Sequence, residues 1–266
     1  MTSKIERGIS GISKYDLIVK HFDLALDEDS QKIPYLEFDR ASYPGFEPHL
    51  FTIADAAMWT PELSSTDEVL LTGPRDSTSP YDSWMKLLNM INQIMKYLEF
   101  YRQEMKHGIF PSTNWLFNEN QWYRRNWERP QYKVLEVDEF LPSVDESIRA
   151  HIKELNDLGF PTTQSCSGLE KDHSDREPYL PYVMFDERAY QRSSAHLFTL
   201  ADIAGWIPSY GPHNFDIEFR LLDSTDAEAR WDKLVASGRS LVRLLQDYRT
   251  SIKTNLVVTH QQFQIL

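Results

Sequence analysis

Apolar residues recur at three- and four-residue spacing over two long stretches of the chain. The first runs Trp84, Leu87, Leu88, Ile91, Ile94, Met95, Leu98 and Tyr101, and the second runs Trp231, Leu234, Val235, Gly238, Leu241, Val242, Leu245 and Tyr248. This is the period of one face of an α-helix, so it predicts two long amphipathic helices whose stripes lie in the core. The second stripe is the first shifted by 147 residues. The same shift lays PYLEFDRASYPGFEPHLFTIADAAMWTP, from Pro34, over PYVMFDERAYQRSSAHLFTLADIAGWIP, from Pro181, without a gap. Half of these pairs are identical, among them Asp39/Asp186, Tyr43/Tyr190, His49/His196, Asp55/Asp202 and Trp59/Trp206. A period of this length exceeds any solenoid unit and indicates a duplicated domain, with a pseudo-twofold arrangement of the halves as the expectation.

Within each copy the pattern predicts a strand at Tyr35 to Asp39 or Tyr182 to Asp186, then a helix through LFTIADAAMW or LFTLADIAGW. A further strand is expected near Val69 to Thr72 and near Phe215 to Leu221, followed by the long helix. Asp76-Ser77-Thr78 and Asp223-Ser224-Thr225 sit where the long helices begin, and Thr225 with Glu228 has capping-box spacing. Ser143 with Glu146 suggests a second capping box, for a helix with Ile148, Ile152, Leu155 and Leu158 on one face and Gly159 at its stop; Phe160 to Ser165 then reads as a strand. If the two long stripes face each other, the pairing of Ile91 with Gly238 predicts a side chain in one filling a gap beside the other. The sum is an α+β fold: a tandem duplication of a module with a small mixed or antiparallel sheet and a long packing helix. The expected organisation is a first module over 1–110, a linker over 111–140 and a second module over 141–266.

The linker holds Trp115, Trp122 and Trp127 with three arginines between Pro111 and Lys133. Interleaved aromatics and arginines stack bases or sugars in some proteins and anchor a connecting segment to its own module in others. After the first long helix, GIFPSTNWLFN reads as a loose strand, and LVVTHQQFQIL reads as a final one. Charge narrows the partners. With 40 acidic against 28 basic residues the net charge is −12, which disfavours RNA as a ligand through long-range repulsion without excluding a local basic groove. No apolar run reaches the roughly 18 residues of a membrane span, so a membrane partner is not expected. A single cysteine excludes an internal disulfide framework, and the first residues lack the apolar core of a secretory signal, which together read as a cytoplasmic protein, monomer or homodimer.

Symmetry between the copies breaks around that cysteine. Leu155 to His173 reads LNDLGFPTTQSCSGLEKDH, while the first copy offers GISKYDLIVKHF, with no cysteine, serine pair or glycine to match. A strand that ends in Ser165-Cys166-Ser167-Gly168 supplies hydroxyls, a thiol and a tight turn with exposed N–H groups, the chemistry of a loop that cradles a small anionic or nucleotide-like ligand. Tyr190 joins these four as a candidate ligand contact. Cys166 becomes a nucleophile only with a base beside it, for which His173 is near in sequence and His196 is the candidate from elsewhere in the fold, with Asp202 as orienting partner. On one helix, however, six residues separate His196 from Asp202 by about 600° of turn, on opposite faces, so the recurring histidine and aspartate also fit purely structural roles. Metal ligation by Cys166, Asp172 and His173 lacks the paired short spacings of structural zinc sites, and no metal ligand is assigned.

The segment Leu155-Asn156 with Gly159 to Gly168 resembles one in the wybutosine-synthesis methyltransferase family, archaeal and eukaryotic enzymes that methylate a tricyclic guanosine derivative in phenylalanine tRNA using S-adenosylmethionine. There a helix runs into a strand ending in Thr-Thr-Ser-Ser-Cys-Ser-Gly. Leu169 stands where that family commonly carries an arginine, and the resemblance is confined to Leu155 to Gly168. It implies a related fold, a ligand loop at Ser165 to Gly168, S-adenosylmethionine as cofactor and tRNA as substrate. Three functions therefore stand as expectations: binding of a small anionic ligand at this loop, tRNA modification, and a noncatalytic interaction scaffold that uses the tryptophan-rich linker.

Overall fold

The computed structural model describes residues 2–26, 32–39, 46–63, 68–74, 79–106, 137–173, 180–187, 189–190, 192–211 and 216–252. The tryptophan-rich linker, GIFPSTNWLFN, LVVTHQQFQIL, Tyr43 and Asp76-Ser77-Thr78 lie outside these residues. The chain divides into two compact units, one comprising Met1–Glu99 with Leu244–Leu266 and the other Phe100–Arg243. Each is an α+β module with an antiparallel sheet, and no helix among the described residues is long and apolar enough to cross a membrane.

The first module runs α1 (Thr2–Ile12), β1 (Val19–Leu26), β2 (Lys32–Asp39), α2 (Glu47–Ala57), β3 (Thr60–Leu63), β4 (Glu68–Thr72) and α3 (Pro80–Tyr97), followed by α4 (Glu99–Lys106), whose residues from Phe100 belong to the second unit. After the short α5 (Val137–Phe140), the second module repeats the order: α6 (Arg149–Asp157), β5 (Thr162–Cys166), β6 (Tyr182–Asp186), α7 (Ser193–Ala204), β7 (Ile207–Tyr210), β8 (Asp216–Arg220) and α8 (Ala227–Leu244). The sheet orders correspond strand for strand, β1-β2-β4-β3 and β5-β6-β8-β7, all neighbours antiparallel. The pattern missed β3 and β7 and gave β1 no bounds. β3 and β7 are only four residues long and too short to show a period, and β1 carries Lys20, His21 and Asp23 among its apolar positions.

The duplication extends to single contacts. Trp59 Nε1 donates to the Ser83 carbonyl and Trp206 Nε1 to that of Arg230, both at 3.3 Å. Trp59 meets Trp84 edge-on at 5.2 Å between centroids, and Trp206 meets Trp231 at 5.0 Å. The turn N–H of Gly73 bonds Pro34 O at 2.7 Å, and that of Leu221 bonds Pro181 O at 3.0 Å. Each long helix breaks at one leucine, Leu98 or Leu245, before a further helical stretch. Both leucines are sealed from solvent, with each such burial contributing about 1.5–3 kcal/mol. The ends of α2 and α7 also agree, with Met58 at φ 65° and Gly205 at φ 77° as left-handed caps.

Helix starts depart from the capping boxes expected. The cap of α3 is Ser79, just past the Asp-Ser-Thr triplet, and its hydroxyl accepts from Asp82 N–H at 3.3 Å. Asp223 instead folds back on Thr225 N–H at 2.9 Å, an Asx turn ahead of α8. Ser143 donates to Phe140 O at 2.7 Å and closes a 3₁₀ turn, leaving α6 to start three residues beyond Glu146 through a second 3₁₀ turn at Glu146–Ile148. Local turn bonding by a short hydroxyl competes with capping, and here it wins.

A Cβ built on Gly238 meets Leu158, Phe160 and Leu155 of its own module at 3.3–3.8 Å. In the first module the small residue sits on the other helix: a Cβ on Gly8 of α1 would lie 2.4 Å from Leu88 of α3.

Candidate functional site

β5 is where the modules part. Asp23 of β1 faces Tyr35, and Cys166 of β5 faces Tyr182, so Asp23 is the counterpart of the cysteine. β1 continues past Asp23 to Leu26, whereas β5 ends at Cys166. Gly168 turns the chain at φ 67°, and a Cβ there would lie 2.4–2.6 Å from Pro181, including its backbone nitrogen. A residue with a side chain would be strained twice, by its backbone angle and by the contact. The chain then makes a 3₁₀ turn at Glu170–Asp172, which delivers His173 back to Cys166.

Cys166 Sγ lies 3.2 Å from His173 Nε2, and the same nitrogen lies 3.3 Å from Asp145 Oδ2. Asp145 comes from the loop before α6, and its carboxylate accepts the Ser167 N–H at 2.7 Å. The three donor atoms lie within 4.8 Å of one another. Cys166 is buried, while Asp145 and His173 are partly exposed. Around them the loop is pinned. Ser147 donates a short hydrogen bond to the Asp172 carboxylate, Ser167 Oγ accepts from Leu169 N–H at 3.1 Å, and core Trp231 donates Nε1–H to the Ser167 carbonyl at 3.3 Å.

The electrostatics follow from this packing. Burial pushes the Cys166 thiol up; an N–H from Gly168 pulls the other way, and the carboxylates of Asp145 and Asp172 raise it further. Burial alone would also raise Asp172, but hydroxyl bonds from Ser147 and Ser167 outweigh it and hold that carboxyl below its ordinary value. Burial raises the Tyr182 phenol, with Cys166, Glu218 and Asp145 adding to the effect and Arg220 opposing it, so it stays a neutral O–H beside the site.

No protein-family model, curated protein or solved structure matches this chain significantly.

Two of the expected site residues, Cys166 and His173, therefore meet. Ser165 is partly exposed and paired with Val183 in the sheet; Ser167 and Gly168 are buried in the turn. His196 and Asp202 both lie on α7, a helix buried on all sides, and His196 Nδ1 takes the Tyr190 hydroxyl at 3.3 Å. Burial lifts Asp202 well above its ordinary value, favouring its neutral form, and in the first module burial lowers the counterpart histidine, His49, to about 3. Groups held neutral in this way suit the interior of a helix better than proton transfer at its surface. Asp145 escaped notice because a lone aspartate 21 residues ahead of the cysteine carries no spacing signal. Sequence spacing alone assigns no metal ligand, yet three dissimilar donors converge.

A relay of nucleophile, base and orienting acid uses both nitrogens of the histidine, one for each neighbour. Here Sγ and the carboxylate share Nε2. A raised thiol pKa and a buried sulfur also oppose attack on a substrate. A tetrahedral zinc ion with bonds of about 2.0–2.3 Å places its ligand atoms roughly 3.3–3.6 Å apart; the Sγ–Nε2 edge of 3.2 Å and the Nε2–Oδ2 edge of 3.3 Å differ from this by a few tenths of an ångström at most, and the third edge is within 4.8 Å.

Proposed function

We propose that the second module binds one divalent transition-metal ion, zinc by preference, through Asp145, Cys166 and His173. The convergence of sulfur, imidazole nitrogen and carboxylate oxygen on one point carries this reading. Thiolate and imidazole select zinc over magnesium or calcium. The ion also reverses the local electrostatics: two carboxylates that disfavour a bare thiolate become charge compensation for a dication and a deprotonated sulfur.

The same carboxylates turn the Ser165 to Gly168 loop away from an anion. The Ser167 N–H, which an anion would need, is already given to Asp145, and Asp172 sits beside it. In this reading the loop orients ligands: Ser167 N–H fixes Asp145, Gly168 N–H supports the sulfur, and Trp231 holds the turn. Three protein ligands among the described residues leave a fourth position for water or a small ligand, the ligand count of sites that exchange rather than merely brace. Metal binding asks nothing of S-adenosylmethionine or tRNA, and the resemblance at Leu155 to Gly168 then reflects a shared turn. A thiolate ligand needs a reducing setting, which fits a cytoplasmic protein.

Titration of the reduced, metal-free protein with cobalt(II) tests this. One equivalent is expected to bind with a sulfur-to-cobalt charge-transfer band in the near ultraviolet, displaced by zinc. Cys166→Ser removes the band, and Asp145→Asn or His173→Gln weakens zinc binding by at least about tenfold. A chain that takes up no stoichiometric cobalt, or a Cys166→Ser protein with the band intact, defeats the proposal.

A further inference from the structure

We propose a second binding site, independent of the metal, in which Lys233 receives the carboxylate of a small amphipathic acid. A cavity of about 310 Å³ opens between α4, the end of α7, the turn after β8 and α8, lined by Phe100, Glu104, Ile207, Leu222, Arg230 and Lys233 among others. It lies within the second unit. Its volume is at the small end for organic ligands, which are commonly held in about 300–1,000 Å³.

The duplicated sequence shows what sets this site apart from its counterpart. Lys233 is the repeat of Lys86, and Phe100 is the repeat of Asp247. In the first unit the lysine is neutralised, with Lys86 Nζ 2.9 Å from Asp247 Oδ2. In the second, the carboxylate is replaced by an aromatic ring, and Lys233 Nζ stands 5.1 Å from the Phe100 centroid. The ring offers an ammonium about 0.5–2 kcal/mol of attraction but no counter-ion. Among the described residues no carboxylate pairs with Lys233. Burial holds its pKa below the ordinary value, and Arg230 adds to this, as expected for a cation awaiting an anion.

Two more exchanges enlarge the space and its charge. Met58 of the first copy is Gly205 in the second, where a Cβ would come within 3.4 Å of the Lys233 ammonium, so the missing side chain leaves room beside that nitrogen. Ser83 becomes Arg230, whose guanidinium lies 3.3 Å from Asp223 and so is partly spoken for. Phe100, Ile207 and Leu222 supply apolar walls, with Phe100 56% and Leu222 62% exposed, more apolar surface than a sealed core leaves. A single carboxylate on an apolar body suits these features. The carboxylates of Glu104 and Asp223 on the lining disfavour a doubly charged phosphate.

Calorimetric titration of the full chain with octanoate, and with octanol as its uncharged counterpart, tests the assignment. Octanoate is expected to bind at submillimolar concentration and octanol at least about tenfold more weakly. Phe100→Asp restores the internal counter-ion of the first copy and Lys233→Met removes the cation; each is expected to lower octanoate affinity about tenfold or more while zinc binding stays as in the parent. Circular dichroism identifies a variant that fails to fold, in which case the other variant decides. Absence of octanoate binding at millimolar concentration, equal binding of octanol, or undiminished affinity in the folded variants overturns it.

Discussion

The first module keeps its strands and helices tied to one another, and the second uses the same frame to present unusual chemistry at two places. Where β1 runs on through Asp23 to Leu26, β5 stops at Cys166 and turns through Gly168 toward His173. Where Lys86 is paired with Asp247, Lys233 meets the Phe100 ring and, among the described residues, no carboxylate. In the first place a strand has been cut short, and in the second an ion pair has lost its carboxylate. A duplicated fold supplies its own control, since the frame that stays equal in both copies is structural and what differs is open to function.

The comparison breaks first, and most severely, at the tryptophans. Trp84→Ala and Trp231→Ala remove equivalent buried rings and are each expected to cost about 3–5 kcal/mol in denaturant unfolding. Only Trp231→Ala also frees the Ser167 carbonyl, so only that variant should lose zinc affinity in the cobalt titration. Equal zinc binding in both would detach the loop from the core. Next, Gly168→Val meets Pro181 and a left-handed backbone together and should destabilise by about 2–4 kcal/mol, with cobalt binding lost. Zinc at a hundred times its dissociation constant should add about 2.7 kcal/mol to stability, with slowed hydrogen exchange in peptides spanning Asp145 to His173 and none in those of β1.

Acid sharpens the contrast. His49 has its pKa depressed from an ordinary 6.5 to about 3 by burial, so its contribution is present above 6.5 and is lost as pH falls toward 3, at about 1.4 kcal/mol per pH unit. Asp202 is displaced the other way. Its contribution is full below 3.8 and declines as pH rises from there toward its folded value. Between pH 6.5 and 4, hydrogen-exchange protection, corrected for the intrinsic rate at each pH, should therefore fall in α2, and unchanged protection there would contradict a buried neutral His49. The smallest effect is expected at Lys86→Met, under about 1 kcal/mol, because its partner Asp247 is largely exposed.

Much of this frame was legible in the chain. The 147-residue shift yielded the duplicated module, the strands Tyr182–Asp186 and Glu68–Thr72 to within a residue, and both long helices, because these elements are long or repeat a buried pattern twice. The break at Leu98 was not legible, since its apolar period continues across the turn. Cys166 and His173 stood out as a departure from symmetry. Asp145 did not, because it reaches them through a loop closure that no local spacing records, and the Lys233 cavity depends on residues as distant as Phe100 and Gly205. Helix caps were misread where serine and aspartate side chains bonded their own turns.

The exchanged glycines bear on ancestry. Gly8 makes room on the leading helix of one copy for Leu88, and Gly238 makes room on the trailing helix of the other for Leu158 and Phe160. Bulk thus sits on opposite sides of the same seam in the two copies. A chimaera in which α3 and α8 trade places would bring large against large on one side and leave a hollow on the other, so each half has become an irreplaceable lineage of its own rather than a spare for its twin.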